Sequence, residues 1–270
     1  MKMTQQIDQH LTFLMTGPPF AGKTVLSSQF PQPYFVTLDP HCLMSVRALR
    51  KEYNAEFDCD FLQITADRTE DEDFIALAGK AFAGLTAWEK TKKVTSALLK
   101  NLSQDQTLII DNLSRVGEDC LVYTKKTANR SRMQIQDWNI FIDEIVEFFG
   151  YFSLASRKCN TIIIAHDDVR KEELTGDIER VLNIPTRLRG RIPSLATDFL
   201  LLTADTAGAG SNKRVRRQLH SMPAKQANLG SRCLIPNMEN PSYLKLKPYM
   251  EAALGRVLPQ PNWTPPEDKK

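Results

Sequence analysis

An α/β fold built on a mostly parallel central sheet is what this chain predicts, and three features predict it. Six short apolar runs with β-branched or aromatic residues recur along the chain, with helical patterns between them. The runs are continuous, as strands covered on both faces are. The first leads straight into a glycine-bearing turn and then a helix, the connection a strand–loop–helix unit needs.

The elements follow in order. Residues 11–16 form the first strand, and Val25-Leu26-Ser27-Ser28 carry the helix after the turn. Strands are predicted at 33–38 (PYFVTL) and 60–65 (DFLQIT). A helix starts near Thr69, where Thr69 and Glu72 have capping-box spacing and Asp71 and Asp73 suit the positive helix end. A second helical stretch runs to about residue 100, before a strand at 107–111. From about Gln136 to Lys158, Trp138, Phe141, Ile142, Ile145, Phe149 and Phe152 recur at helical spacing, and Arg157-Lys158 suit the closing turn. Strands return at 161–165 (TIIIA) and 197–203 (TDFLLLT), with later ones at 214–220 and 242–247 on the far side. One core domain over 1–258 is expected, followed by a loose tail at 259–270 (PQPNWTPPEDKK).

A chain of 270 residues with 42% apolar and 25% charged residues can bury a full core. No stretch reaches the length of a membrane span, and residues 1–10 are too polar for a signal peptide. Cys42, Cys59, Cys120, Cys159 and Cys233 are scattered, odd in number and form no C-x-x-C pair, which points to reduced thiols in a cytoplasmic setting. Net charge is +3, unevenly spread: residues 1–111 hold 11 Lys/Arg against 14 Asp/Glu, residues 112–232 hold 19 against 14. A basic middle segment is compatible with a polyanionic partner.

Residues 17–24, Gly17-Pro18-Pro19-Phe20-Ala21-Gly22-Lys23-Thr24, complete a G-x-x-x-x-G-K-[ST] loop, with Val25 opening the helix. Such a loop wraps backbone N–H groups around a polyphosphate, sends its lysine to the β- and γ-phosphates and offers its hydroxyl to Mg²⁺. A nucleoside triphosphate with Mg²⁺ is the expected ligand. Asp111 closes the 107–111 strand, where P-loop proteins place the acid that holds the metal, so Thr24 and Asp111 are the candidate metal residues. His166 follows the TIIIA strand and would stand on the same edge. It either senses the γ-phosphate or caps a neighbouring helix.

The P-loop, the Asp-ended IID strand, Gln136-Asp137-Trp138, the IIIAH strand and PSLATDFLLLT (193–203) together resemble the RecA-like P-loop NTPase fold, with antiparallel strands added at one side. Over about residues 10–235 the order looks most like RecA-core ATPases encoded by bacteriophages, among them single-strand annealing proteins and recombinases. The resemblance implies ATP as the nucleotide and an oligomer, ring or filament, with ATP between subunits. It also implies single-stranded DNA as partner, with a single-strand binding protein as a further one, and host cytoplasm as the location. It places DNA on two loops, roughly 114–135 (Arg115, Lys125, Lys126, Arg130, Arg132) and 167–192 (Arg170, Lys171, Arg180, Arg187, Arg189, Arg191). Two positions depart from the family pattern. Asp39 stands where a water-positioning Glu is usual, and Lys225-Gln226-Ala227-Asn228-Leu229-Gly230 replaces K-x-R-x-G. Lys225 could still act across an interface, and Arg232 could replace the missing Arg.

Lys23, Asp39, Asp111, His166 and Lys225 are thus the candidate catalytic residues. Two other readings stay open. One is an ATP-switched DNA-binding module with little hydrolysis. The other is a nucleotide kinase, for which Arg187-Leu188-Arg189-Gly190-Arg191 could serve as a lid.

Overall fold

The computed structural model describes residues 10–39, 41–49, 59–64, 84–153, 157–171, 178–207, 214–222, 229–261 and 263. Each expected strand up to residue 220 forms. They are β1 (Thr12–Thr16), β2 (Pro33–Thr37), β3 (Asp60–Gln63), β4 (Thr107–Asp111), β5 (Asn160–Ile164), β8 (Asp198–Ala207) and β9 (Arg214–His220). Short strands β10 (Gly230–Ser231) and β11 (Met238–Glu239) complete a sheet ordered β11-β9-β8-β1-β5-β4-β2-β3, with β10 on β8. The six strands from β8 to β3 run parallel, whereas β9, β10 and β11 add antiparallel pairs beyond β1. A mostly parallel sheet with antiparallel strands at one side is therefore what the chain builds. A separate hairpin pairs β6 (Asp167–Lys171) with β7 (Ile178–Leu182).

Alternating strand residues supply two cores, because successive side chains point to opposite faces. Leu14, Val36, Leu108, Ile110 and Ile163 face α3 (Ala87–Asn101), α4 (Leu113–Thr127) and α5 (Ile135–Gly150), with Trp88, Val116, Phe141 and Phe148 buried against them. The short α6 (Thr186–Arg189) and α7 (Arg191–Leu195) add Leu188 and Ile192 to that layer. Phe13, Met15, Phe35, Ile109, Ile162 and Leu200 face the other way, onto α1 (Lys23–Ser28), α2 (Cys42–Leu49) and α8 (Tyr243–Leu254). The inner parallel strands β1, β4 and β5 are buried along their whole length.

Four expectations change. Residues 242–247 begin α8 rather than a strand: Tyr-Leu-Lys-Leu-Lys alternates like a strand, yet Tyr243, Leu246, Met250 and Leu254 form one buried helical stripe. Ser242 caps it by accepting from the Lys245 N–H. The helix expected at 136–158 ends at Gly150 and passes into a single 3₁₀ turn, Tyr151–Ser153. Arg157 does not close it but lies buried, donating to the Thr161 hydroxyl at 3.1 Å. The tail is seated as far as residue 263: the Tyr243 hydroxyl donates to the Pro259 carbonyl at 2.8 Å, and buried Trp263 donates from Nε1 to the Gln29 carbonyl at 2.8 Å. Finally, most of 114–135 is α4 and not a loop. The helix start expected at Thr69 lies outside the described residues. A capping box is found instead at Thr86, which exchanges bonds with Glu89 at the head of α3.

All five cysteines are free thiols, and only Cys59 is more than marginally accessible. Among the described residues no helix is long and apolar enough to cross a membrane.

Trp263 fills the α8 face of the core, so Trp263→Ala should lower the unfolding free energy by about 3–5 kcal/mol. Trp138→Ala, at the solvent edge of α5, should cost about 1 kcal/mol. Paired urea titrations check both values, and equal losses would show that the tail is not part of the core.

Candidate functional site

The loop at 17–24 sits at the carboxyl end of β1, pressed toward the β8–β9 side. Gly17 has φ +149°, and a Cβ there would stand 2.1 Å from the Leu202 carbonyl oxygen of β8, so only glycine lets the two backbones approach. Phe20 adopts φ 64° at the loop tip with its side chain 99% exposed. Gly22, at φ +97°, lies against Arg217 of β9. Lys23 folds back over this frame, its Nζ donating to the carbonyls of Gly17 at 2.6 Å and Pro18 at 2.8 Å.

Asp111 reaches the loop from β4, two strands away. The Thr24 hydroxyl donates to Asp111 Oδ2 at 2.8 Å, joining the two candidate metal residues directly. Burial raises the Asp111 carboxyl to about 6, partly opposed by the Thr24 bond and by Lys23 and reinforced by Asp39. Burial also lowers Lys23 to about 8, against the opposing pull of Asp111 and Asp167. Both groups are buried, at 5% and 4% exposure for Lys23 and Asp111.

His166 stands beyond β5 on the same edge. Its Nε2 lies 3.2 Å from the Asn112 amide nitrogen, so the amide donates and the ring proton resides on Nδ1. That Nδ1 is buried and makes no hydrogen bond among the described residues. Burial, then the charge of Lys23, lowers the His166 pKa, keeping the ring neutral at neutral pH. Asn112 also caps α4, accepting from the Arg115 N–H at 2.9 Å, so it couples His166 to the head of that helix. Asp39 follows β2, half-buried, with Oδ1 accepting from the His41 N–H at 2.9 Å. It acts electrostatically on both Asp111 and His166. Lys23, Thr24, Asp39, Asp111 and His166 therefore share one edge, whereas Lys225 lies outside the described residues.

Sequence reasoning missed three groups here. Asp167, directly after His166, is buried and pairs at 2.6 Å with Arg180 from the facing strand of the hairpin. Its adjacency to His166 was the available signal. Asn112 follows Asp111 just as closely. Arg217 gave no signal, since its place depends on how β9 lies on β8.

The basic residues of 114–135 and 167–192 divide. Arg115 pairs with Glu118 at 2.8 Å, and Arg130 pairs at 2.7 Å with buried Asp137, which also accepts from the Gln134 N–H at the head of α5. Arg189 donates from Nε to the carbonyls of Leu182 and Ile184, and Arg187 donates to Asn139. Arg170 and Lys171 stand exposed on β6.

The donor set fits a magnesium-bound polyphosphate: a glycine frame, a buried lysine, a hydroxyl–carboxylate pair, and an imidazole nitrogen without a hydrogen-bond partner among the described residues. Thr24 and Asp111 would hold the metal, Lys23 the phosphates. Among the described residues no cluster of three or more His, Cys, Asp or Glu could hold a metal by itself. Such a metal would need ligand oxygens from the phosphates.

Comparison with known proteins covers the segment that contains this loop. A family model described as AAA domain matches residues 9–221. No curated protein matches the chain. Among solved structures, the flagellar accessory protein FlaH from Methanocaldococcus jannaschii is similar at 13% identity and a TM-score of 0.39, over 77% of this chain and 76% of that one. The KaiC-like protein PH0186 from Pyrococcus horikoshii OT3 is similar at 14% identity and 0.40, over 81% and 83%.

The two shifted groups set a pH window for a magnesium–phosphate ligand. Asp111 must be ionised to hold the metal, so affinity falls as pH drops through about 6; Lys23 must be protonated, so affinity also falls as pH rises through about 8. Each limb should approach about tenfold per pH unit. Equilibrium dialysis of Mg-ADP across that range tests it. Asp111→Asn should remove the Asp111 contribution to the acid limb, and a flat wild-type profile would contradict the site.

Proposed function

The chain belongs to the AAA-domain family, and we propose that it is a Mg-ATP-dependent ATPase acting on single-stranded DNA as an oligomer. The observation that carries the nucleotide part is the convergence of Lys23, Thr24 and Asp111 on one buried edge. Bound Mg²⁺ would offset charge on the β- and γ-phosphates as the phosphoryl group transfers. Lys23 exchanges the loop carbonyls for phosphate oxygens and counters the charge developing on them. Thr24 and Asp111 hold the metal in place. Asp39 takes the proton of the attacking water, as the bond from the γ-phosphorus to the β–γ bridging oxygen breaks and ADP and phosphate leave. Its Oδ2 makes no hydrogen bond among the described residues, which leaves it available for that proton. His166 reads the γ-phosphate through its unpartnered Nδ1 and passes the change through Asn112 to α4 and through Asp167 to the hairpin.

Two observations support the partners. Phe20, wholly exposed beside the loop, is the kind of aromatic that a neighbouring subunit covers, consistent with ATP between copies. The β6–β7 hairpin follows His166 directly and presents Arg170 and Lys171 to solvent, suited to a phosphate backbone. Lys225 would act from a neighbouring copy.

Annealing driven by an ATP-locked form with little turnover is the second reading. It is favoured by the Asp39 carboxylate, which spends one oxygen on the His41 N–H and stands on the shorter side chain. A nucleotide-kinase lid finds less support, because Arg187 and Arg189 are already bonded within the fold.

ATP turnover should rise on adding single-stranded DNA, and the stimulation should weaken steeply with salt. Lys23→Ala should reduce turnover by at least about a hundredfold. An ATPase rate indifferent to DNA at low salt sinks the DNA assignment, and annealing that proceeds with a non-hydrolysable analogue selects the switch reading.

A further inference from the structure

Arg217 is the charged side chain near the phosphate loop that the proposed reaction does not use. Its stem and guanidinium occupy the space beside Gly22: a Cβ at Gly22 would lie 2.6 Å from Arg217 Nε and 2.9 Å from its Cδ. Its backbone is fixed, because its N–H donates to Asn240 Oδ1 at 3.2 Å and its carbonyl accepts from the Asn240 N–H at 2.7 Å. Yet Nε is buried without a hydrogen bond, and the guanidinium makes no ion pair among the described residues. Arg216, next along the strand, is by contrast paired with Glu239. A buried Nε held against a phosphate loop, with no acceptor among the described residues, calls for an acceptor from a ligand.

The sheet order says which part of the ligand. β1, which feeds the loop, lies between β5 and β8. Asp111 and His166 approach from the β5–β4 side, whereas Arg217 approaches from β9, beyond β8. A nucleotide whose γ-phosphate faces Asp111 and His166 directs its α-phosphate toward β8 and β9. We propose that Arg217 binds the α-phosphate of the nucleotide held by its own loop, Nε and one Nη donating to its non-bridging oxygens. The inference rests on the nucleotide-binding reading above. It makes Arg217 a binding residue for diphosphate and triphosphate alike, indifferent to the state of the γ-phosphate.

Calorimetric affinities for ATP and ADP with Mg²⁺, on wild type, Arg217→Gln and Arg217→Lys, test it. Arg217→Gln should weaken both nucleotides by the same factor, about tenfold, and Arg217→Lys should recover part of the loss by charge alone. Phosphorus NMR of bound ADP should show the α resonance moved in Arg217→Lys and the β resonance unchanged, a signature that a merely structural role would not give. If Arg217→Gln does not fold, the conservative lysine variant decides through the same two readouts. Unchanged affinities, a loss confined to ATP, or a shift confined to the β resonance would each overturn the proposal. Absence of nucleotide binding by the wild type would overturn the earlier reading instead.

Discussion

One hydrogen bond ties this molecule together functionally: Thr24 to Asp111, 2.8 Å long and spanning 87 residues of sequence. It exists only because the parallel register brings the end of β4 level with the end of β1 through β5. Ile163 pairs with Leu14 on one side and Ile110 on the other, and Ile164 pairs with Met15 and Asp111. A slip of one residue in either ladder would turn Asp111 to the opposite face and leave the Thr24 hydroxyl facing apolar side chains. The apolar cores on both faces are what hold that register, since Leu14, Ile110 and Ile163 pack on one side and Met15, Ile109 and Ile164 on the other. The site is thus a consequence of core packing as much as of the loop.

The same dependence explains which features could be read from the chain and which could not. The loop at 17–24 was legible because its chemistry needs consecutive backbone groups, and consecutive residues record it. Asp111 was legible because an acid closing an otherwise apolar strand has no packing reason to be there. The parallel sheet followed from continuous apolar runs, and the antiparallel additions from the resemblance to the RecA-like fold, whereas the strand order had no local signal. Residues 242–247 misled because five alternating residues imitate a strand, and the stripe that makes α8 helical shows only when Met250 and Leu254 are included. Trp263 was lost in a proline-rich context, although one tryptophan buries enough surface to anchor such a segment. The Asp167–Arg180 pair and the Arg217–Gly22 contact join distant segments, and no local pattern encodes either.

Charge counting was the weakest guide. The basic middle segment is compatible with a polyanionic partner, yet Arg115, Arg130, Arg180 and Arg189 hold carboxylates or carbonyls of the protein itself. Arg130 with Asp137 organises the start of α5, and Arg189 fastens the end of β7 to α6. Fixing helix ends and hairpins consumes arginine because its planar fork can satisfy several acceptors at once. Others stay exposed, among them Lys126, Arg132, Arg170, Lys171 and Arg191, and of these Arg170 and Lys171 lie on the strand that leaves His166.

The placement of those two residues matters because of what lies beside their strand. Lys23 near 8 and Asp111 near 6 are shifted toward one another, so each stands closer to losing its charge at neutral pH than it would in water. Burial disfavours both charges, and their mutual attraction only partly restores them. A ligand that brings negative phosphate to Lys23 and a cation to Asp111 relieves both at once, drawing the lysine back to full protonation and the acid to full ionisation. The strain of a buried, under-compensated pair is therefore released by binding, and Asn112 and Asp167 are the groups positioned to feel the release. Each belongs to an element that leaves the site: Asn112 heads α4, and Asp167 opens β6, the strand that ends in Arg170 and Lys171. Two elements that leave the site thus begin beside the charged pair, one at Asn112 and one at Asp167.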